Sequence, residues 1–475
     1  MFIGISLSRY WLRMVLALML VCGSDFLSAA TLAIKEMPVQ LNMDDAGVKT
    51  RIEKSLISLV KKLDAVAQEI EKLNQDGILS SPSKEVVELL QLCEHWQTQL
   101  HDSFSCRLGA LQRDWETAAV KSELPDRALL RQKSRQHLKL QWQVDKTGVR
   151  FSDAATSAGL QLNLQGLWQG WVLDQFASAI EEITAQQKIA PSDFSLVYGS
   201  VTLSVNKSVA SEQQVTLTGL SPLLVPLKNQ SLAVLDRQQH LRKVAHYPMS
   251  KLLVPKEGWP VEFAPSLFVR ANNAIEAGVL AQALLSVSVH DALEQVNKMT
   301  SVTALAITET GMFFASKEWY GETGAATTPW AAQQNFLIDY EIPALDVAEY
   351  RRPYMAIWIG DDKGNAIRHL QLLGDNRWLR DLRLWWRKFG RADDALVDAL
   401  AGATQKPGRY QINWDGRDLY GNYVPQGNYA LHLEVVREHG EREAVVLPFV
   451  LNGQATSATA KGANEIGQVN LANRL

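Results

Sequence analysis

The chain has 475 residues with a formal net charge of −3 at pH 7, 47% hydrophobic and 21% charged residues, and three cysteines. This near-neutral balance gives no electrostatic footprint for nucleic acid. The length is too great for one hydrophobic core and implies two or three domains.

The first thirty residues carry an export pattern. Arg9 and Arg13 precede an unbroken apolar run from Met14 to Val21, and Ser28-Ala29-Ala30 supplies small residues for cleavage. The run is too short to span a bilayer, so residues 1–30 read as a cleaved signal peptide. Cys22 would serve a lipoprotein anchor, but Val21 precedes it where a lipobox wants Gly, Ala or Ser. No later stretch is long and apolar enough to cross a membrane, so the mature chain is expected in the periplasm without a transmembrane segment. Two cysteines then remain, Cys93 and Cys106. An oxidising compartment permits a bridge between them; two small buried hydrophobes is the other reading. Neither has a metal-ligand partner at useful spacing, the histidines do not cluster, and no metal site is expected. No Ser–His–Asp signature is present.

Ile52, Leu56, Leu59, Leu63, Val66 and Ile70 recur at three- and four-residue steps, which predicts an amphipathic helix over 49–74. Pro82 and Ser83 open a second, with Val86, Leu89, Leu90, Cys93 and Trp96 on its apolar face. Alternation marks a strand from Leu138 to Val144, and Val149-Arg150-Phe151 follows a turn at Gly148. A strand from Leu160 to Leu164 should run into Gly166 and Gly170 and then a helix through Ile183. Val197 to Val205 is strand-like, Ala274 to Met299 helical, and Ala304 to Ala315 two strands about a turn at Thr310-Gly311. Helices and strands mixed without strict alternation give an α+β domain over residues 31–335.

From Ile342 the chain turns to strands, tryptophans and turn residues, apart from one helix around Trp378 to Phe389. Gln411–Trp414, Asp415-Gly416, Tyr420-Gly421-Asn422, Pro425-Gln426-Gly427 and Tyr429–Val436 form a strand–turn–strand series. That spacing suits an immunoglobulin-like β-sandwich over 342–451. Trp385-Trp386 fits core packing better than a partner-facing patch. Residues 452–475, rich in Ala, Gly, Ser, Thr and Asn without apolar period, are expected to be a disordered tail.

Leu162-Asn163-Leu164-Gln165-Gly166-Leu167-Trp168-Gln169-Gly170-Trp171-Val172-Leu173-Asp174 resembles the D-L-G-G-I-A-K-G-Y-A-V-D segment of ApbE-type FAD:protein FMN transferases. Around it, Glu69-Ile70 with Leu73-Asn74 is similar to that family's S-E-I-x-x-L-N, and Asp102-Ser103-Phe104 to its G-G-A-F-D-P turn. Leu252 to Pro260 is similar to H-I-I-D-P-R-T-G-x-P, and Ala277 to Leu284 to A-D-A-L-A-T-A-L. The resemblance spans roughly residues 45–320. It implies the family fold and a chemistry in which FAD is split at its pyrophosphate and FMN is joined to a threonine of a target protein. A divalent cation would neutralise the phosphates.

At the matching positions this chain departs from the pattern. Gly278 replaces the metal-ligating Asp, Gln282 the Thr of the same motif, and Lys251 and Val254 the His and Asp of the H-I-I-D-P segment. Asn163, Gln165 and Gln169 replace an Asp, a Gly and a Lys. Without the carboxylate, magnesium is not expected, while FAD or FMN remains the cofactor the resemblance implies. Gly166, Gly170, Asp174, Pro255 and Gly258 are kept, either as a cofactor-binding frame or as ordinary turn and packing residues. Asp174 reads more readily as a solvated carboxylate on a helix side.

Pro407 to Asp418, followed by Gly421, Pro425, Gly427 and Tyr429, resembles the immunoglobulin-like repeat of flagellar hook-cap proteins. It is still more similar to a periplasmic domain of unknown function often joined to ApbE-type domains, a pattern that includes Pro353–Ile359 and Arg377–Leu382. Asp398-Ala399-Leu400-Ala401-Gly402-Ala403-Thr404 is similar to the acceptor sequence D-x-x-S/T-G-A-T, whose last Thr receives FMN. Thr404 is therefore a candidate attachment residue, with Ala401 departing from the usual hydroxyl. Three readings follow: a catalytically degenerate ApbE-like protein of periplasmic flavin and redox chemistry, serving exported redox or flavoprotein partners; an active magnesium-dependent FMN transferase; and a structural docking module.

Overall fold

The computed structural model describes residues 32–474 apart from 190–192, 206–210, 218–222, 262–264, 309–310, 320–334 and the single positions 317, 348, 376 and 393. The signal-peptide expectation and Cys22 lie outside the described residues. No helix among them is long and apolar enough to cross a membrane.

The amino-terminal domain is built on a seven-stranded antiparallel sheet. Its order is Phe313–Ala315, Thr303–Ile307, Ser266–Ala271, Gln230–Leu235, Val201–Val205, Phe194–Tyr198 and Gln40–Met43. The long helix Ala46–Asp76 begins at Asp45, whose carboxylate accepts the Gly47 and Val48 N–H groups, and ends at Gly77 with φ +70°. It buries Ile52, Leu56, Leu63, Val66 and Ile70, the stripe expected from periodicity. Ser83 caps the helix Lys84–Leu100 through the Val86 N–H. Cys93 and Cys106 are joined in a buried disulfide with Cα atoms 5.9 Å apart, which settles the open alternative.

Two local expectations fail here. Leu160–Leu164 pairs with no strand, and the helix Gln165–Gln186 starts directly after it. The helical run Ala274–Met299 breaks at Leu285–Ser288 into Ala274–Leu284 and Val289–Val296, because Ser288 caps the second helix through the Asp291 N–H. Ala274–Leu284 is apolar on nearly every side because it lies buried against the sheet and the Gln165–Gln186 helix.

The carboxy-terminal domain is a β-sandwich. One sheet runs Gly408–Trp414, Asn335–Ile342, Gln468–Arg474 and Ser457–Lys461; the other runs Ala401–Gly402, Ala366–Leu373, Tyr354–Asp361, Gly427–Val436 and Arg442–Leu451. Between them Phe336, Ile338, Tyr340, Ile357, Leu431, Trp414, Phe449 and Val469 form the core. The disordered-tail expectation is overturned. Gln468–Arg474 pairs with both Asn335–Ile342 and Ser457–Lys461, and Val469 and Leu471 are fully buried. Small polar residues disguised a strand whose apolar positions are only two. The sandwich also starts at Asn335, ahead of the Ile342 boundary read from composition.

The expected helix at 378–389 is a 3-10 turn Leu379–Asp381, a short helix Arg383–Trp385 and a π-helical turn Trp386–Gly390. The buried Glu434 carboxylate anchors it, accepting the Leu384 N–H at 2.9 Å, the Trp385 N–H at 2.7 Å and Arg442 Nε at 2.6 Å. Trp385 is buried, as core packing required. The two domains interlock: the Phe313 N–H donates to Leu419 O at 2.6 Å, and Arg368 Nη1 donates to both Phe313 O and Asp418 O.

Candidate functional site

Gly166, Gly170, Gly278 and Gln282 come together where the helices Gln165–Gln186 and Ala274–Leu284 cross. A Cβ on Gly170 would lie 2.2 Å from Ala274 O, and one on Gly278 would lie 2.6 Å from Gly166 O. A Cβ on Gly166 would meet Gln282 Oε1 at 2.0 Å. The glycines therefore let two helix backbones touch, and the Gln282 side chain occupies the place left beside Gly166. Gln169 Oε1 is already engaged, accepting the Ser200 N–H at 3.1 Å and the Ser200 hydroxyl at 2.7 Å. The space left at the crossing is about 20 Å³, room for about one water.

The polar residues lining that space are Gln165, Gln169, Ser200 and Gln282, beside small and apolar ones, with no carboxylate. Among the described residues no three His, Cys, Asp or Glu side chains converge as metal ligands. Magnesium demands near-octahedral oxygen coordination and is bound through carboxylates and phosphates. These residues do not fit it, in charge or in room.

Asp174 caps the second helix of the crossing. Its Oδ1 accepts the Ala274 N–H at 3.1 Å and its Oδ2 the Ile275 N–H at 3.2 Å. Burial pushes its pKa upward, with these two bonds opposing. The solvated-carboxylate expectation is corrected: the side chain is half-buried and aimed at a helix N-terminus. Pro255 and Gly258 sit elsewhere, in a turn packed on the helices Gly109–Lys121 and Arg127–His137. Gly258 has φ +64° and its carbonyl accepts the Trp115 indole N–H at 2.9 Å, while Pro255 O accepts the Ser134 hydroxyl. Lys251 Nζ donates to Gln239 O at 3.3 Å on the exposed side.

Two larger spaces lie beside the crossing. One, of about 430 Å³, is walled by Leu235, Leu252, Val261 and Leu285 with Arg127, Arg237, His240, Tyr247 and Trp259. Burial, then the nearby Lys251, holds His240 below its usual range. Sequence reasoning missed this space, because the hairpin Leu241–Val244 and Tyr247–Ser250 that forms it carries no motif.

The other is an interdomain cleft of about 930 Å³. Val254, Val261, Leu285, Val287 and Asp291 reach it from the amino-terminal domain; Tyr354, Gly374, Trp378 and Ala401 to Thr404 reach it from the sandwich. Thr404 is half-buried, and its hydroxyl makes no hydrogen bond to any described residue. Its loop is held on both sides. The Gly374 N–H donates to Gly402 O at 2.9 Å, and Tyr340 donates its hydroxyl to Gln405 Oε1 at 2.7 Å. Gly402 is small for a structural reason: a Cβ there would come within 2.7 Å of the His290 ring. The Asp398 side chain lies outside the described ones.

Residues 31–192 match the ApbE family model, which includes the Leu162–Asp174 segment. The amino-terminal domain is ApbE-like. Lys251, Val254, Gly278 and Gln282 lie beyond the matched residues of this ApbE-like domain. Residues 335–468 match a family described as "Predicted periplasmic protein (DUF2271)", which places that domain's start at the first sandwich strand. Among solved structures, the ApbE protein of Thermotoga maritima is 14% identical with a TM-score of 0.50, covering 60% of this chain and 95% of that one. The flavinyl transferase ApbE of Pseudomonas stutzeri, in its apo form, is 13% identical with a TM-score of 0.49, covering 61% and 94%. At such identity the Thermotoga likeness shows a shared fold. No curated protein matches the chain.

Proposed function

We propose that this is an exported ApbE-family protein without transferase activity of its own, which carries FMN on Thr404 and serves periplasmic flavin redox chemistry. The observation that carries the proposal is the Thr404 hydroxyl, without a hydrogen-bond partner among the described residues, on a pinned loop facing an interdomain cleft of about 930 Å³. That space lies at the upper end of the range typical of small-molecule sites, about 300–1,000 Å³. The sequence similarity to flavin acceptors and the DUF2271 match support it further. In the reaction, Thr404 Oγ forms a bond to the FMN phosphorus of FAD as the pyrophosphate P–O bond breaks. AMP leaves, and the hydroxyl proton passes to a base of a separate, active FMN transferase. The missing carboxylate at Gly278 and the closed crossing support the absence of activity in this chain itself.

The test is production of the exported protein in a strain with an active flavin transferase, followed by a denaturing gel viewed under ultraviolet light. A fluorescent band that vanishes in Thr404→Ala is expected. A dark wild-type band removes the carrier reading and leaves the docking module. One observation favours a second reading: the space of about 430 Å³ shares Val261 and Leu285 with the Thr404 cleft, so a nucleotide held there would reach it. Pure protein incubated with FAD and magnesium distinguishes the two, because self-labelling requires an active transferase.

A further inference from the structure

Residues 377–391 hold six arginines and lysines against one carboxylate, Asp381, in a chain that is net negative overall. They form the 3-10, α and π turns on the side of the five-stranded sheet that faces away from the sandwich core. Leu379, Leu382 and Trp385 are buried there, and Phe389 meets the Trp358 and His369 rings at 5.9 and 4.9 Å between centroids. The cations lie on the opposite side. Arg380, Arg383 and Arg387 are exposed, and none of them makes a hydrogen bond or ion pair with a described residue. Arg377 Nε donates to Asp375 Oδ1 at 3.0 Å, and Lys388 Nζ donates to Gly364 O at 3.3 Å. Arg391 ends the run close to Asp393 and Asp394 in sequence, so the three arginines before it carry the free charge.

These arginines stand on a fixed base. The Glu434 carboxylate holds the Leu384 and Trp385 N–H groups from below, and a Cβ on Gly390 would lie 2.5 Å from the Trp385 ring and 2.6 Å from the Trp386 ring. An ordinary solvated face intersperses both signs of charge; this one does not. Trp378, 44% exposed, begins the segment, and the half-buried Trp386 falls between Arg383 and Arg387 in sequence. Guanidinium groups bind phosphate oxygens in bidentate fashion, and indoles settle at the headgroup level of a bilayer. A basic segment with one apolar face and aromatic residues is the pattern of a membrane-surface contact. We infer that Arg380, Arg383 and Arg387, flanked by Trp378 and Trp386, dock the sandwich on a membrane surface rich in anionic phospholipid. The contact is peripheral, since no helix among the described residues is long and apolar enough to cross. It needs neither Thr404 nor flavin.

The test sediments the exported protein with vesicles of equal parts phosphatidylglycerol and phosphatidylcholine, and with vesicles of phosphatidylcholine alone. Binding to the first and not the second, weakening as salt is raised, is expected. Arg380→Gln, Arg383→Gln and Arg387→Gln combined should weaken it about a hundredfold. Lys54→Gln, Lys61→Gln and Lys72→Gln combined remove the same charge from exposed positions of the Ala46–Asp76 helix and should leave binding unchanged. Thermal unfolding verifies that both triple variants fold. No binding to the mixed vesicles, equal binding to both kinds, or equal loss in the two triple variants overturns the membrane surface. Retention on polyglutamate without vesicle binding also overturns it, and assigns the face to an acidic protein instead.

Discussion

The helix crossing and the interdomain cleft are neighbours with opposite character. At the crossing, Gly166, Gly170 and Gly278 allow two backbones to meet, and about 20 Å³ remains. At the cleft, two domains leave about 930 Å³ between them, with the Thr404 hydroxyl on the wall and no described residue bonded to it. Removal of a side chain opens space only when the surroundings cannot collapse into it. Here Gly278 makes a tight contact with Gly166 O, so the crossing holds no vacant site. Room for a ligand persists where no helix can slide in, between a sheet-based domain and a sandwich joined through Arg368.

The largest expected effect sharpens this contrast by acid. His369 is held down to about 3 and His432 to about 4, each by burial first and then by a neighbouring cation, Arg368 or Lys388. Both are therefore neutral in the fold, and their contribution is complete above about 6.5, the free value. As pH falls from 6.5 toward 4 the unfolded chain takes up protons that the sandwich refuses, costing about 1.4 kcal/mol per pH unit for each histidine. Asp174 behaves with the opposite sign. Its raised pKa means its contribution is complete below the free value and is lost as pH rises through the folded one. Hydrogen exchange read by peptide between pH 7 and 5 should loosen the sandwich near His369 and His432 and spare the crossing. His432→Gln should remove about half of that slope. His137 and His240 shift in the same direction as these histidines, but in other peptides of the amino-terminal domain.

Gly278→Asp tests the other side of the comparison. A carboxylate side chain at this position forces Cβ against Gly166 O, and overpacking of this kind costs about 1–3 kcal/mol. Chemical denaturation should show that loss, and the variant should still fail to transfer FMN from FAD with magnesium. A variant as stable as wild type that labels an acceptor would mean the crossing is an open site. The smallest effect belongs to the cap. Asp174→Ala should cost about 1–2 kcal/mol by leaving the Ala274 and Ile275 N–H groups without their partner, and Asp174→Asn less, since an amide oxygen keeps one bond and sheds the charge. Equal melting of Asp174→Ala and wild type would break the capping assignment.

How much of this was legible in the chain depended on the reach of the signal. The Ile52 to Ile70 stripe and the turns at Gly416 and Gly421, with φ +74° and +81°, are local, and the sequence displays them directly. The kept residues of the Leu162–Asp174 segment pointed to the right fold, yet their roles are tertiary: Gly170 answers to Ala274, Asp174 to the start of a helix a hundred residues away. The last strand was missed because its partners are Asn335–Ile342, far along the chain, and only Val469 and Leu471 announce its inward face. Thr404 was found by motif, but its cleft was not, since half of that cleft belongs to Val254, Leu285 and Val287 of the other domain.

The most direct measurement of the central claim is the intact mass of the exported protein made alongside an active FMN transferase, followed by peptide mapping across Thr404. A gain equal to FMN less one water, on the Thr404 peptide and absent in Thr404→Ala, is expected. An unmodified wild-type mass, or a label elsewhere in the chain, would contradict it.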